Sequence, residues 1–162
     1  TIVPEATFES APPLDVLVVP GGPGQIDQME NEKFLGFLRR AGEKARIVSS
    51  VCTGALLLAK AGFLDGKRAT THWLARDALA KLGAKPVRDR VVRDVNVVTG
   101  AGVSAGIDFA LRLVAELEGE NVAQAIQLAI EYDPQPPFDV GSPEKAPPAL
   151  VAALRKRARH FL

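Results

Sequence analysis

The single cysteine, Cys52, sits in the run Ser50-Val51-Cys52-Thr53-Gly54, between a β-branched stretch and an Ala/Leu-rich one. A strand that reverses into a helix within one or two residues pushes the turn residue toward solvent, often with a strained backbone. That setting suits a nucleophile. Gly54 lets the new helix pack closely on its strand, and the helix amino end aims amides and partial positive charge at the sulfur. An ordinary thiol ionises near pH 8.5; shifting that by about two units takes roughly 3 kcal/mol of preference for the thiolate. A helix end typically contributes about 0.3–1 kcal/mol, up to about 2. A further partner for the sulfur is therefore expected. The competing role, a small buried apolar residue, is disfavoured by the strand–Cys-Thr-Gly–helix context.

Three other spots carry weaker signals. Gly21-Gly22 follows Pro20 and a strand-like run. Their amides, with that of Thr53, are candidates to receive negative charge developing on a substrate; a plain glycine turn is the alternative. His72, beside Trp73, is a candidate to line or orient the site, or else a helix-start histidine with local hydrogen bonds. Gly100-x-Gly102-x-x-x-Gly106 opens a helix after a strand, as a dinucleotide fingerprint does. No second βα unit with a terminal acidic residue follows it. Close packing and a helix start facing the site, with Gly102 in its lining, are the expectation. The basic set Arg155, Lys156, Arg157 and Arg159 is expected to be a solvated helix face. No His/Cys/carboxylate set has zinc-like spacing, so neither metal nor organic cofactor is expected.

These residues need elements to position them. Leu14 to Val19, after Pro12-Pro13 and before Pro20-Gly21-Gly22, predicts a strand buried on both faces, the habit of parallel sheets. Phe34, Leu35, Phe37 and Leu38 share one face of an amphipathic helix. Ile47 to Val51 predicts a second strand, Ala55 to Ala59 a helix capped by Gly62. Ala69 to Thr71 predicts a brief strand, and His72 to Leu82 a helix ended by Gly83. Arg90–Arg93 and Val95–Val98 predict a hairpin with Asp94 in the turn. A long helix through Ile107, Leu111, Val114, Ala115 and Leu117 follows, then one from about Val122 to Tyr132. Pro134 to Pro143 predicts an extended arm, and Pro148 to Leu162 a basic helix. No internal repeat or low-complexity tract interrupts the pattern. Strands alternating with helices predict an α/β sandwich on a mainly parallel sheet, in one domain over residues 1–162. In such sheets functional groups gather at the carboxyl ends of strands, which is where Gly21-Gly22, Cys52-Thr53 and Gly100–Gly106 fall.

The 162 residues suffice for one domain with a core. Lys plus Arg number 20 and Asp plus Glu 19, so charge gives no case for nucleic acid or an anionic membrane. No apolar run is long enough to span a bilayer, and no signal-peptide pattern stands at the start. One cysteine builds no internal disulfide framework, which makes a reducing cytoplasm the expected setting.

Several of these segments resemble the ThiJ/PfpI family of the class I glutamine amidotransferase-like superfamily, over almost the whole chain. They are Pro-Pro-Leu-Asp-Val from Pro12, Pro20-Gly21-Gly22, Cys52-Thr53-Gly54-Ala55, and Gly66 to Trp73. They continue through Arg90 to Asp94, Ala105 to Leu111, Glu131 to Pro134, Pro137-Phe138 and Gly141 to Pro143. The last three resemble the family's isonitrile hydratases most. The resemblance implies a flavodoxin-like three-layer sandwich, a homodimer, a small-molecule substrate and no cofactor. It implies Cys52 as nucleophile, Thr53 as the neighbour shaping its surroundings and offering its amide, and Gly21 and Gly22 on the opposite lip. It also implies hydration of an isonitrile to an N-substituted formamide through a covalent cysteine adduct.

In that family an acidic residue after the first strand hydrogen-bonds the cysteine. Nothing before Leu14 resembles that strand and helix, and Glu5, Asp15 and Asp27 are poor substitutes. An N-terminal strand and helix outside the given sequence are therefore expected, and the acidic partner with them. The alternatives are a glyoxalase, deglycase or amidase-like hydrolase of the same family, and the ligand-sensing half of a transcription regulator. A sensor whose cysteine oxidises without turnover is the third.

Overall fold

In the computed structural model, which describes residues 3–158, four strands form the principal sheet. β1 (Val16–Val19), β2 (Ile47–Val51) and β6 (Val97–Gly100) run parallel in that order, and β5 (Val91–Asp94) pairs antiparallel with β6. A two-stranded parallel pair, β3 (Arg68–Ala69) and β4 (Lys85–Pro86), stands apart. The molecule is an α/β three-layer sandwich on a mostly parallel sheet, as the alternation of elements predicts.

One layer holds the larger core. Leu17, Val19, Val48 and Val97 face Leu35 and Leu38 of α2 (Glu32–Lys44) and the buried Ala55–Ala59 run of α3 (Gly54–Lys60). Asn31 caps α2 by accepting a hydrogen bond from the Phe34 amide at 3.1 Å, which satisfies a donor the helix itself cannot. On the other face, Ile47 and Val98 pack on Phe109 of α5 (Ala105–Glu118). α6 (Glu120–Ala129) lies against α5. α7 (Pro148–Ala158) closes the described chain.

The structure corrects several expectations. β1 is not buried on both faces: Val18 is 46% exposed, because α5 reaches β2, β5 and β6 but leaves that flank of β1 open. The hairpin turn is Val95-Asn96, not Asp94, which pairs with Val97 in the ladder. Thr70 and Thr71 are buried but outside any strand. The stretch after His72 is a 3-10 turn over Trp73–Ala75 and then α4 (Arg76–Lys81), not one helix. Ile107 is exposed rather than part of the apolar face of α5. Arg155, Lys156 and Arg157 are exposed, as expected of a solvated face, with the Arg155 guanidinium 6.0 Å from the Trp73 ring. Arg159 and the rest of the expected helix to Leu162 lie outside the described residues.

Candidate active site

Because β1, β2 and β6 are parallel neighbours, their carboxyl ends share one edge of the sheet. The register Val51↔Gly100 sets the residue before Cys52 beside the start of the Gly100–Gly106 turn. Gly21-Gly22, Cys52-Thr53 and Gly102 are thus brought to one place by topology.

Cys52 turns the chain in the left-handed region, with φ of 58°. A non-glycine residue there costs about 1–2 kcal/mol and persists only where its surroundings over-determine it. The Cys52 amide donates to both the Gly100 and Ala101 carbonyls, at 3.0 and 2.9 Å. The Thr71 hydroxyl donates to the Cys52 carbonyl at 2.8 Å. Both peptide groups of the cysteine are therefore fixed by β6 and by the turn after β3. α3 begins two residues later, with Thr53 at the N-cap position but its hydroxyl bonded to the lip rather than to the helix.

The elbow is packed to the limit of what backbone allows. A Cβ at Gly54 would lie 2.2 Å from the Val19 carbonyl oxygen, and one at Gly21 would lie 2.5 Å from the Thr53 nitrogen. Each obstacle is backbone, so neither yields. These glycines let strand, lip and helix meet with no side chain between them.

A polar chain ties the lip to the elbow. The Gly22 amide donates to Thr53 Oγ1 at 3.0 Å, and that hydroxyl donates to Gln25 Oε1 at 2.7 Å. Gln25 begins the short helix α1 (Gln25–Gln28) and is only 4% exposed. Its own amide donates to the Gly22 carbonyl at 3.1 Å. The Gly22 amide, read from sequence as a donor to substrate, is thus engaged by Thr53 in this structure. Gln25 was not among the sequence candidates. Its bond to Thr53 crosses 28 residues of chain, and no local pattern marks it.

Cys52 and Thr53 open into a pocket of about 250 Å³ whose other walls include Pro23, Leu74, Val103 and Ala158, with His72 at its side. Among the described residues no carboxylate lines it. His72 Nδ1 accepts a 3.4 Å hydrogen bond from the Leu74 amide, the local contact of a helix start. An imidazole that accepts at Nδ1 while neutral carries its proton on Nε2. Burial, helped by the nearby Arg76 charge, holds His72 below the usual imidazole range. Gly102 packs against the ring: a Cβ there would lie 2.7 Å from His72 Cδ2. No group of three His, Cys, Asp or Glu side chains suited to a metal ion occurs among the described residues, and no described helix is long and apolar enough to cross a membrane.

Comparison with known proteins gives these features a context. Residues 1–116 match the model of the DJ-1/PfpI family. The isonitrile hydratase of Pseudomonas putida is 58% identical over 155 residues, covering 96% of this chain and 68% of that protein. A ThiJ/PfpI family protein of known structure from Pseudomonas syringae superposes with a TM-score of 0.94 at 47% identity, over 99% of this chain and 67% of its own. The transcriptional regulator GbdR of Pseudomonas aeruginosa is 29% identical over 82% of this chain, which spans only 36% of the regulator.

Proposed function

From the premise that the chain belongs to the DJ-1/PfpI family, we propose that it is an isonitrile hydratase, converting an isonitrile and water to an N-substituted formamide. The observation that carries this reading is Cys52, held in a left-handed turn and lining a pocket with Pro23, Leu74 and Val103. An isonitrile is uncharged, slim at its reacting end and weakly hydrogen-bonding, so such a pocket desolvates it at little cost. The 58% identity to the Pseudomonas putida isonitrile hydratase supports the same reaction.

The proposed chemistry uses the chain's own groups. The Cys52 sulfur attacks the terminal isonitrile carbon, and that carbon takes a proton as the C–S bond forms, giving a thioimidate, R–N=CH–S–Cys52. Water adds across the C=N bond, oxygen to carbon and proton to nitrogen. The C–S bond then breaks, the formamide leaves, and the sulfur recovers its proton. With the Gly22 amide engaged by Thr53, the amides of Thr53 and Gly21 are the lip donors assigned to charge on the adduct. The Nε2–H of neutral His72 is a further donor at the pocket side. Thr53 holds the lip, and Gly102 sets the His72 ring.

The finer organisation belongs to the same proposal. A homodimer accounts for the apolar residues that α6 and its end leave exposed, Val122, Ile126, Leu128 and Ile130; sedimentation checks it. A further strand paired along the outer edge of β1, with a helix packed over Val18, would complete that flank and bring the acidic partner of Cys52; the intact mass of the protein from its own source checks that. The protein works in the cytoplasm, without metal or organic cofactor.

The deciding experiment is a steady-state assay on a simple alkyl isonitrile beside one on methylglyoxal. Formamide production that Cys52→Ala abolishes supports the proposal. Turnover of methylglyoxal alone would replace it with the glyoxalase reading, and turnover retained by Cys52→Ala would remove the covalent route.

A further inference from the structure

A second and larger cavity, about 630 Å³, opens on the same edge of the sheet. It shares His72 and Val103 with the pocket over Cys52, so the two meet at those side chains. Their walls differ in kind. Among the described residues the Cys52 pocket has no lining carboxylate, lysine or arginine. The larger cavity is lined by Arg76, Arg88, Arg90 and Lys145, with Asp139 its one carboxylate.

The positive charge there is incompletely answered. Arg90 pairs with Asp108 at 2.5 Å, and Lys145 with Asp139 at 2.5 Å. Arg76 and Arg88 both rest on the same oxygen, Glu144 Oε1, at 3.3 and 3.2 Å. Two guanidiniums thus share one carboxylate. Arg76 is not a loose surface cation: its side chain is 19% exposed, and its Nε has no hydrogen-bond partner among the described residues. A guanidinium drawn from water and short of acceptors is stabilised by a planar oxyanion that offers two. Trp73, Phe138 and Pro143 supply apolar wall beside the cations.

We propose that the larger cavity takes a carboxylate carried by the substrate. The molecule would then place its isonitrile at Cys52 and run past His72 and Val103 to an anionic end at Arg76 and Arg88. This rests on the isonitrile hydratase reading and narrows it to a substrate class, the isocyano carboxylates.

The test compares 6-isocyanohexanoate with hexyl isonitrile, in the native sequence, Arg76→Gln and Arg88→Gln. Arg88 is largely exposed, so its variant folds even where loss of the more buried Arg76 does not. The expected result is a kcat/KM ratio favouring the carboxylate in the native sequence, falling about tenfold in Arg88→Gln, as loss of one charge-assisted contact implies. The preference also shrinks in 0.5 M salt. A ratio near one, or one unchanged by both variants, overturns the proposal. Binding is read separately through Trp73, the chain's one tryptophan, with hexanoate and hexan-1-ol as probes. Saturable quenching by hexanoate alone, weakened in Arg88→Gln, supports the cavity even where neither isonitrile is turned over, an outcome that would fault the hydratase reading instead. No saturable response to hexanoate overturns the cavity proposal.

Discussion

The bond between Thr53 and Gln25 permits a quantitative test of how the lip is held. Thr53 Oγ1 receives the Gly22 amide and donates to Gln25 Oε1 at 2.7 Å, with both side chains buried. Replacing Gln25 by leucine removes the acceptor and strands a hydroxyl proton, a loss worth about 1–3 kcal/mol. For a domain near this size about 1 kcal/mol moves Tm by roughly 2–4 °C, so Gln25→Leu should lower Tm by about 2–12 °C. Thr53→Val keeps the volume but strands the Gly22 amide and the Gln25 oxygen, and should cost as much or more. The double variant removes donor and acceptor together. Its cost should fall short of the sum by about 1–2 kcal/mol, the coupling of one buried hydrogen bond. Urea unfolding of all four proteins gives the cycle, and kcat/KM on an isonitrile gives its functional counterpart. Single costs that add to within about 0.5 kcal/mol would refute the bond as the link between lip and elbow.

Three further outcomes follow from the same geometry. Cys52→Ala should abolish turnover while leaving Tm within a few degrees, since alanine meets the same left-handed backbone cost; circular dichroism and the isonitrile assay check both halves. Gly54→Ala should yield little folded protein, because a methyl 2.2 Å from the Val19 carbonyl oxygen has only backbone to displace; soluble yield and thermal melting measure it. His72 adds a pH dependence. Its folded pKa lies below the unfolded value because the ring is buried and Arg76 is near. The unfolded state therefore binds the proton first on acidification. Its contribution is complete above about pH 6.5 and is lost as pH falls from there through the lower folded pKa. Tm measured between pH 7.5 and 5 should fall more steeply in the native sequence than in His72→Gln.

Much of this site is legible in the chain because it is made by local grammar. Ile47 to Val51 reads as a short strand, and Gly54 two residues past Cys52 announces the tight entry into α3. Parallel pairing then aligns Gly21-Gly22, Cys52 and Gly102 with no further information. What stayed hidden depends on distant contacts. The Val16–Val19 run reads as doubly buried, yet Val18 is open because no helix among the described residues covers that flank. Asp94 has the chemistry of a turn, but the ladder extends through it and forces Val95 to a φ of 54° against β-branched preference. Gln25 carries no signal as a residue type. Arg76, Arg88 and Arg90 look like ordinary surface charge until the arm bearing Phe138 and Lys145 folds over them.

The protons held at the pocket narrow how the proposed reaction runs. The Thr53 hydroxyl proton is given to Gln25, and its oxygen already accepts from Gly22. Thr53 is thereby occupied as a positioning residue and has no proton to lend. The Cys52 amide is spent on two carbonyls, so it too is withdrawn from the substrate. His72, with Nδ1 accepting from Leu74 and its pKa held low, presents one Nε2–H and no charge. Such a donor can hydrogen-bond the adduct nitrogen, but a neutral imidazole is a poor proton source near pH 7. The proton that reaches the isonitrile carbon must then come from the thiol itself or from water. Hydration in D₂O should accordingly place deuterium on the formyl carbon, with His72→Gln lowering kcat/KM about tenfold or less and leaving that incorporation complete. A loss above a thousandfold would mean that His72 itself transfers the proton, against its neutral, Nδ1-engaged state.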